Sequence, residues 1–199
     1  MRDIIYILTG YLAGSILFAR VFGRLLKKTD VTENTSDGNP GTANAFQNGG
    51  FLCGALTLIC DLLKGFLPVF LYTRGQTTFL LALVIAAPVV GHVFPALYHF
   101  HGGKGIATTF GCLLGLLPDY IPVGLLALLF IFFSLILRIT PHYYRTLATY
   151  LCAELLLFVF TRDPRIWIGF SLIFVAVAAR MLTSKEEKTS PEVKLFWMH

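Results

Sequence analysis

Apolar positions run unbroken along most of the chain and stop mainly at charges and prolines. These cut it into about seven hydrophobic segments, at roughly 4–23, 51–72, 77–97, 106–118, 120–137, 146–160 and 165–182. Several are shorter than the roughly 20 residues a helix needs to cross a bilayer core. The short ones lie near glycines and prolines, which predicts a bundle with a shallow or re-entrant half rather than a set of straight rods. Arg2 precedes the first segment, as a charge precedes a signal peptide, but the continuation ARVFGRLLKK lacks a small-residue cleavage site and stacks positive charge after the helix. It reads as a retained span. The expected fold is all-α: a polytopic membrane helix bundle of about seven transmembrane segments over residues 1–182, followed by a cytoplasmic polar tail at 183–199.

Composition agrees with the pattern. Hydrophobic residues make up 56% of the chain and charged ones 14%, against roughly 25% charged in soluble domains, and mean hydropathy is +0.72. The net charge of +5 is unevenly placed. With the N-terminus outside, the cytoplasmic segments hold eleven cations: Arg20, Arg24, Lys27, Lys28, Lys104, Arg138, Arg145, Arg180, Lys185, Lys188 and Lys194. The outer side holds four, Arg2, Arg74, Arg162 and Arg165, so the positive-inside bias predicts N-terminus out and C-terminus in. Positive charge so placed meets anionic headgroups or a phosphorylated substrate, with no need to invoke nucleic acid. Cys53, Cys60, Cys112 and Cys152 fall in or near apolar spans without a CxxC pair, which reads as packing thiols rather than a disulfide or a metal site.

Against this apolar background three polar interruptions stand out. Residues 29–50, TDVTENTSDGNPGTANAFQNGG, show neither helical nor strand periodicity, and Asp37-Gly38, Asn39-Pro40 and Pro40-Gly41 are turn signals. A loop longer than about a dozen residues usually has a function or is disordered. Asp61 and Lys64 sit three apart in the second segment, so they share a helix face and partly neutralise each other. They either glue the bundle or present Lys64 to an anion with Asp61 orienting it. In the third segment Pro88, Gly91 and Pro95 interrupt the helix near its inner end, beside His92. That histidine is either a packing residue or a proton carrier.

The third interruption, 91–111, carries His99, His101 and Lys104 on a backbone freed by Gly102, Gly103 and Gly105. Closely spaced N–H groups and an ammonium make a cradle for an anion. The GGKG run is not a nucleotide phosphate loop, because its spacing differs and Gly105 follows the lysine where a hydroxyl would be needed. The start of the next helix can still face an anion. Glu154 is a lone acid within the sixth segment, and Tyr143 and Tyr144 read as interface anchors. If the three interruptions converge, they offer two lysines, glycine N–H groups, the amides of Asn39 and Asn44 and an imidazole at an oil–water boundary. That inventory suits a phosphate joined to a long apolar chain.

The stretches GHVFPALYHFHGGKGIAT at 91–108, DLLKGF at 61–66 and DGNPGTAN at 37–44 resemble the bacterial acyl-phosphate:glycerol-3-phosphate acyltransferases, the PlsY family. The resemblance implies a seven-span enzyme of the bacterial inner membrane. It would move a fatty acyl group from acyl phosphate to position 1 of glycerol 3-phosphate, with no cofactor or metal, as a monomer among membrane lipids. Gly38, Asn39, Gly41 and Asn44 match the family's first motif, but Asp37, Ala43 and Gln47 stand at its serine, threonine and arginine. His92, Pro95, Gly102, Gly103, Lys104, Gly105 and Thr108 match the second. Arg180, Glu186 and Lys188 match the third, whereas Val177 and Ala179 replace two asparagines. The resemblance therefore implies catalytic roles for His92, Lys104 and Asn39. It implies substrate contacts for Asp37, Gly38, Gly41, Asn44, Lys64, Gly102, Gly103, Gly105, Thr108 and Arg180. Asp37 adds a negative charge near the expected anion and Gln47 removes a positive one, so a divergent paralogue that binds a phosphorylated lipid or scaffolds other membrane enzymes is the alternative. A small-solute transporter fits less well, because the polar groups gather at one membrane face.

Overall fold

Helices occupy each apolar segment in the computed structural model, which describes residues 1–28, 30–33, 35, 37–184 and 189–195. In chain order they are α1 (Arg2–Gly14), α2 (Phe18–Phe22, continued by a π-helical turn Gly23–Lys27), α3 (Thr42–Thr73), α4 (Leu81–Val93) and α5 (Ile106–Leu114). Then follow α6 (Ile121–Ile131, extended by a π-helical turn Phe132–Ile136), α7 (His142–Phe160) and α8 (Pro164–Thr183). Among the described residues four helices are long and apolar enough to span a membrane, and a fifth span results if α1 and the Phe18–Lys27 helix, bent by 41°, count as one. Ile106–Leu114 has only 9 residues and Ile121–Ile131 only 11, the short half that the glycines and prolines predict.

Two features differ from the sequence reading. Helix α3 starts at Thr42, inside the stretch without periodicity, and its break falls at Gly50, where φ 79° and ψ 178° leave the helical region. The arm Thr42–Gly49 is too short to show a period. It is held by tertiary packing, in a small cluster where Ala45 and Cys53 meet Ala19, Phe22 and Val31. In addition, Leu137–Thr140 (β1) pairs antiparallel with Glu192–Leu195 (β2) of the tail, a small ribbon added to an otherwise helical bundle.

The helices approach closely because side chains are missing at the contacts. A Cβ at Gly14 would overlap Pro88 O, and one at Gly91 would overlap Tyr11 O, so α1 and α4 nearly touch backbone to backbone. Between α3 and α5, Gly65 faces Thr108 O and Gly111 faces Leu62 O in the same way. In lipid, where apolar attraction between helices is weak, such small-residue contacts carry the packing. The main core joins Val69, Val84, Ile85, Leu113, Tyr150, Phe170 and Ile173. Large apolar side chains such as Leu8, Leu52, Leu128, Phe158 and Val175 remain exposed on the flanks, where lipid would cover them.

Candidate active site

The polar interruptions meet at one end of the bundle. In the loop before α3, Asp37 Oδ1 accepts from Asn39 N (3.1 Å) and Asn44 Nδ2 (2.9 Å), and Asn44 Nδ2 also donates to Asn39 O (2.8 Å). Gly38, at φ 58°, takes the left-handed conformation that this tight turn needs. Asn44 thus ties the loop to the first turn of the helix that follows it.

The glycine run folds back on the end of α4. Gly103 N donates to His92 O and Gly102 N to Val93 O, each at 3.1 Å, and any Cβ on Gly102 or Gly103 would collide with His92. From α8, Arg180 Nε donates to Gly102 O at 2.9 Å and fixes the run from the other side. Gly105, at φ 79°, turns the chain into α5. Its carbonyl accepts from Thr109 Oγ1 (2.9 Å), which in turn accepts from the buried Tyr150 hydroxyl (2.9 Å).

These two pieces join through Lys104, whose Nζ lies 3.0 Å from Asp37 Oδ2. Burial works to raise the Asp37 carboxyl, but the Asn44 amide, the Lys104 ammonium and the Asn39 N–H together hold it below the usual carboxylate value. Asp37 therefore turns toward the lysine and compensates its charge. Beneath them lies a second, fully enclosed pair. Lys64 Nζ is 2.8 Å from Asp61 Oδ1, 2.7 Å from Ile16 O and 2.7 Å from His92 Nδ1. An ammonium has only donors, so His92 Nδ1 accepts and the ring proton sits on Nε2.

A cavity of about 360 Å³ opens between these groups. Asp37, Asn39, Gly41, Asp61, His92, Lys104 and Gly105 line its polar side, and Leu58, Ile106, Ala107 and Phe110 its apolar side. Asn39 Oδ1 and Thr42 Oγ1, both buried at this wall, have no partner among the described residues. Of the residues singled out from sequence, Gly38, Asn44, Lys64, Gly102, Gly103, Thr108 and Arg180 stand behind the wall rather than on it. Lys64 reaches the site only through His92 and Asp61. Glu186 and Lys188 lie outside the described residues. Of the departures from the family pattern, Asp37 and Ala43 line the wall, whereas Gln47 is exposed, Val177 is buried, and Ala179 faces an apolar groove between α1, α4 and α8.

Two polar wall residues escaped the sequence reading, Thr42 and His142. Thr42 sits in the matched first motif, so its neighbours could have flagged it. His142 follows an unremarkable inner turn, and no spacing connects it to the glycine run. Tyr143, read as an interface anchor, is buried, with its ring edge-on to Tyr144 at 5.0 Å. Glu154 is remote from the cavity and is bonded to Ser171 across the α7–α8 contact. Among the described residues no three His, Cys, Asp or Glu side chains gather as a metal site.

Comparison with known proteins places this arrangement. The chain is 41% identical over 111 residues to a glycerol-3-phosphate acyltransferase of Photobacterium profundum, an alignment covering 55% of this chain and 54% of that one. With the enzyme of that name from Endomicrobium trichonymphae it shares 39% over 132 residues, 65% of this chain and 66% of the relative. The chain thus spans about half to two thirds of the length of the curated relatives it matches. Crystal structures of PlsY, an integral membrane glycerol 3-phosphate acyltransferase, superpose with TM-scores of 0.77 for the glycerol 3-phosphate form and 0.75 for the lysophosphatidic acid form. In both comparisons identity is 27%, over 90% of this chain and 88% of the other. The family described as glycerol-3-phosphate acyltransferase matches residues 4–189, and with the glycine cradle, the paired lysines and the apolar wall assembled at one end of a membrane helix bundle, the chain belongs to that family.

Proposed function

We propose that the protein transfers a fatty acyl group from acyl phosphate to position 1 of glycerol 3-phosphate, giving lysophosphatidic acid and inorganic phosphate. The observation that carries this is the two-sided cavity. Part of its lining offers Lys104, Asn39 and the start of α5, and another part, the side chains of Leu58, Ile106 and Phe110, is apolar. The first N–H groups of a helix lack internal partners and favour an anion, so the phosphate of the acyl donor sits against Gly105 and Lys104 while its chain lies along the apolar side.

An acyl phosphate is already activated, so the protein has mainly to bring the acceptor hydroxyl to the carbonyl carbon and stabilise the charge that develops. The C–O bond to the acceptor forms, the bond from the carbonyl to phosphate breaks, and phosphate leaves with the electron pair. His92 carries its proton on Nε2, with Nδ1 engaged by Lys64. It therefore serves as a hydrogen-bond donor at the wall, and a phosphate oxygen of the substrate takes the hydroxyl proton. Lys64 and Asp61 hold that imidazole, Arg180 holds the loop through Gly102, and Thr109 and Asn44 brace the two backbone turns. The setting we assign is a monomer in the inner membrane of a bacterium, N-terminus outside.

The test is a turnover assay of purified protein with acyl phosphate and glycerol 3-phosphate. Lysophosphatidic acid and phosphate should appear one for one, and Lys104→Ala should lower the rate about a hundredfold or more, the cost of losing one preorganised charge. Parental turnover in Lys104→Ala would remove the central role given to that lysine. A second reading has its own support, because Asp37 compensates Lys104 and Gln47 is exposed where the family pattern has an arginine. A paralogue that binds a phosphorylated lipid without turnover would saturate with glycerol 3-phosphate or lysophosphatidic acid in a binding assay and release no phosphate.

A further inference from the structure

Two phosphate-bearing substrates bring two anions to one cavity, yet the lysine on its wall, Lys104, already faces Asp37, and Lys64 behind the wall faces Asp61. Hydrogen-bond donors from elsewhere on the wall have to share the load. Helix α7 also supplies part of the lining, and its contribution is His142, the first residue of that helix.

The ring of His142 is held by its own helix. Arg145 Nη2 lies 2.9 Å from Nδ1, and because a guanidinium has only donors, Nδ1 must accept and the ring proton sits on Nε2. Thr146 gives its hydroxyl proton to His142 O at 2.9 Å. Its oxygen is left 3.3 Å from Nε2, beyond the usual N–H···O range. The Nε2–H is therefore weakly used, and exchanging Thr146 for a charged phosphate oxygen strengthens its bond. Arg145 also lacks a carboxylate partner among the described residues, and its buried Nε has no acceptor there. Its charge is left to act on whatever anion lies beyond His142.

We propose that His142 is a substrate-binding residue of this site: its Nε2–H, oriented by the positioning residue Arg145, donates a hydrogen bond to the phosphate of glycerol 3-phosphate. The identity of that anion rests on the acyl-transfer reading; the donor geometry does not. The water-soluble acceptor reaches this wall from the polar end of the bundle, where β1 and Pro141 lead into α7. The acyl donor keeps the apolar part of the lining, along Ile106 and Phe110.

Isosteric substitutions separate this role from a structural one. His142→Gln puts an amide N–H near the Nε2 position, and His142→Asn puts one near Nδ1. Binding of glycerol 3-phosphate to the full chain in detergent, measured calorimetrically without acyl donor and with glycerol as the control, should weaken about tenfold in His142→Asn, the loss of one charge-assisted hydrogen bond. In His142→Gln it should stay within about threefold of the parent, and in turnover the same split should appear in KM for the acceptor rather than in kcat. Equal loss in both variants, or loss in neither, overturns the proposal. Where His142→Asn does not fold, 15N-histidine spectra of the parent decide: the His142 signals should report the Nε2–H form and move on titration with glycerol 3-phosphate, and Arg145→Met should release the tautomer. Signals that ignore the ligand overturn it. Binding that follows this pattern without formation of lysophosphatidic acid would overturn acyl transfer and leave His142 its role. Turnover with an unchanged acceptor KM in His142→Asn would do the reverse.

Discussion

A Cβ at Gly103 would overlap Nε2 of His92, so Gly103→Ala has to push the imidazole off Lys64 or lift the glycine run from α4. Either shift costs about 1–3 kcal/mol of overpacking. It should lower both the melting temperature in detergent and turnover, and parental values of both would show the His92 contact to be slack. Asp37 gives a prediction of the opposite sign. Asp37→Asn keeps an oxygen for Asn39 N and Asn44 Nδ2, so the turn survives, while the charge facing Lys104 is lost. Apparent affinity for phosphate substrates should rise about three- to tenfold, the scale of one partly exposed ion pair, and the gain should fade with added salt. The same carboxylate sets a pH dependence. Its folded pKa lies below the ordinary 3.8, so the folded state takes up its proton later than the unfolded chain does. The stability it contributes is complete above that ordinary value and is lost as pH falls through the depressed one. Melting temperature followed below about pH 4 should therefore drop less steeply in Asp37→Asn than in the parent.

At the scale of elements, α5 is short and owes its place to α3. Gly65 and Gly111 let the two backbones meet, with Thr108 O and Leu62 O where side chains would otherwise stand. Gly65→Ala should drive α5 outward and carry Gly105 and Lys104 with it. Destabilisation of about 1–3 kcal/mol should come with a turnover loss larger than that of Gly38→Ala, whose added Cβ meets nothing within 4 Å and costs only left-handed strain. Equal losses in the two would count against α5 as the carrier of the site. The elements themselves were legible in the sequence wherever burial in lipid imposes long apolar runs, and the Asp61–Lys64 contact was legible because it is local to one helix. Their third partner, His92, is 28 positions away and shows no local signal. His142 was hidden for the same reason, since it meets the glycine run only through the fold. The arm Thr42–Gly49 and the β1–β2 ribbon escaped because each is too short to carry a period and is held by contacts distant in sequence.

For the whole molecule, polar side chains sort to the two ends of the bundle. At one end Arg2 donates to Tyr72 O and Gln76 O, Asp3 accepts from the Tyr72 hydroxyl, and Arg165 donates to Thr78 O, which ties the N-terminus to the α3–α4 turn and to α8. At the other end Arg20 and Arg24 flank Asp30, Lys104 faces Asp37, Arg180 holds Gly102 O, and Arg138 lies opposite Lys194 in the ribbon. The second end is much the more basic, so the positive-inside bias predicts that it faces the cytoplasm, the side from which the proposed water-soluble acceptor would enter. Arg24 and Arg74 are exposed, one at each end, and the native cysteines lie in or near apolar helices, two of them buried. In intact spheroplasts an impermeant maleimide should label Arg74→Cys and leave Arg24→Cys unlabelled until the membrane is opened. The reverse pattern would put the cavity on the outer face and deny it a cytoplasmic acceptor, which the chemistry proposed for Lys104 and His142 could not survive.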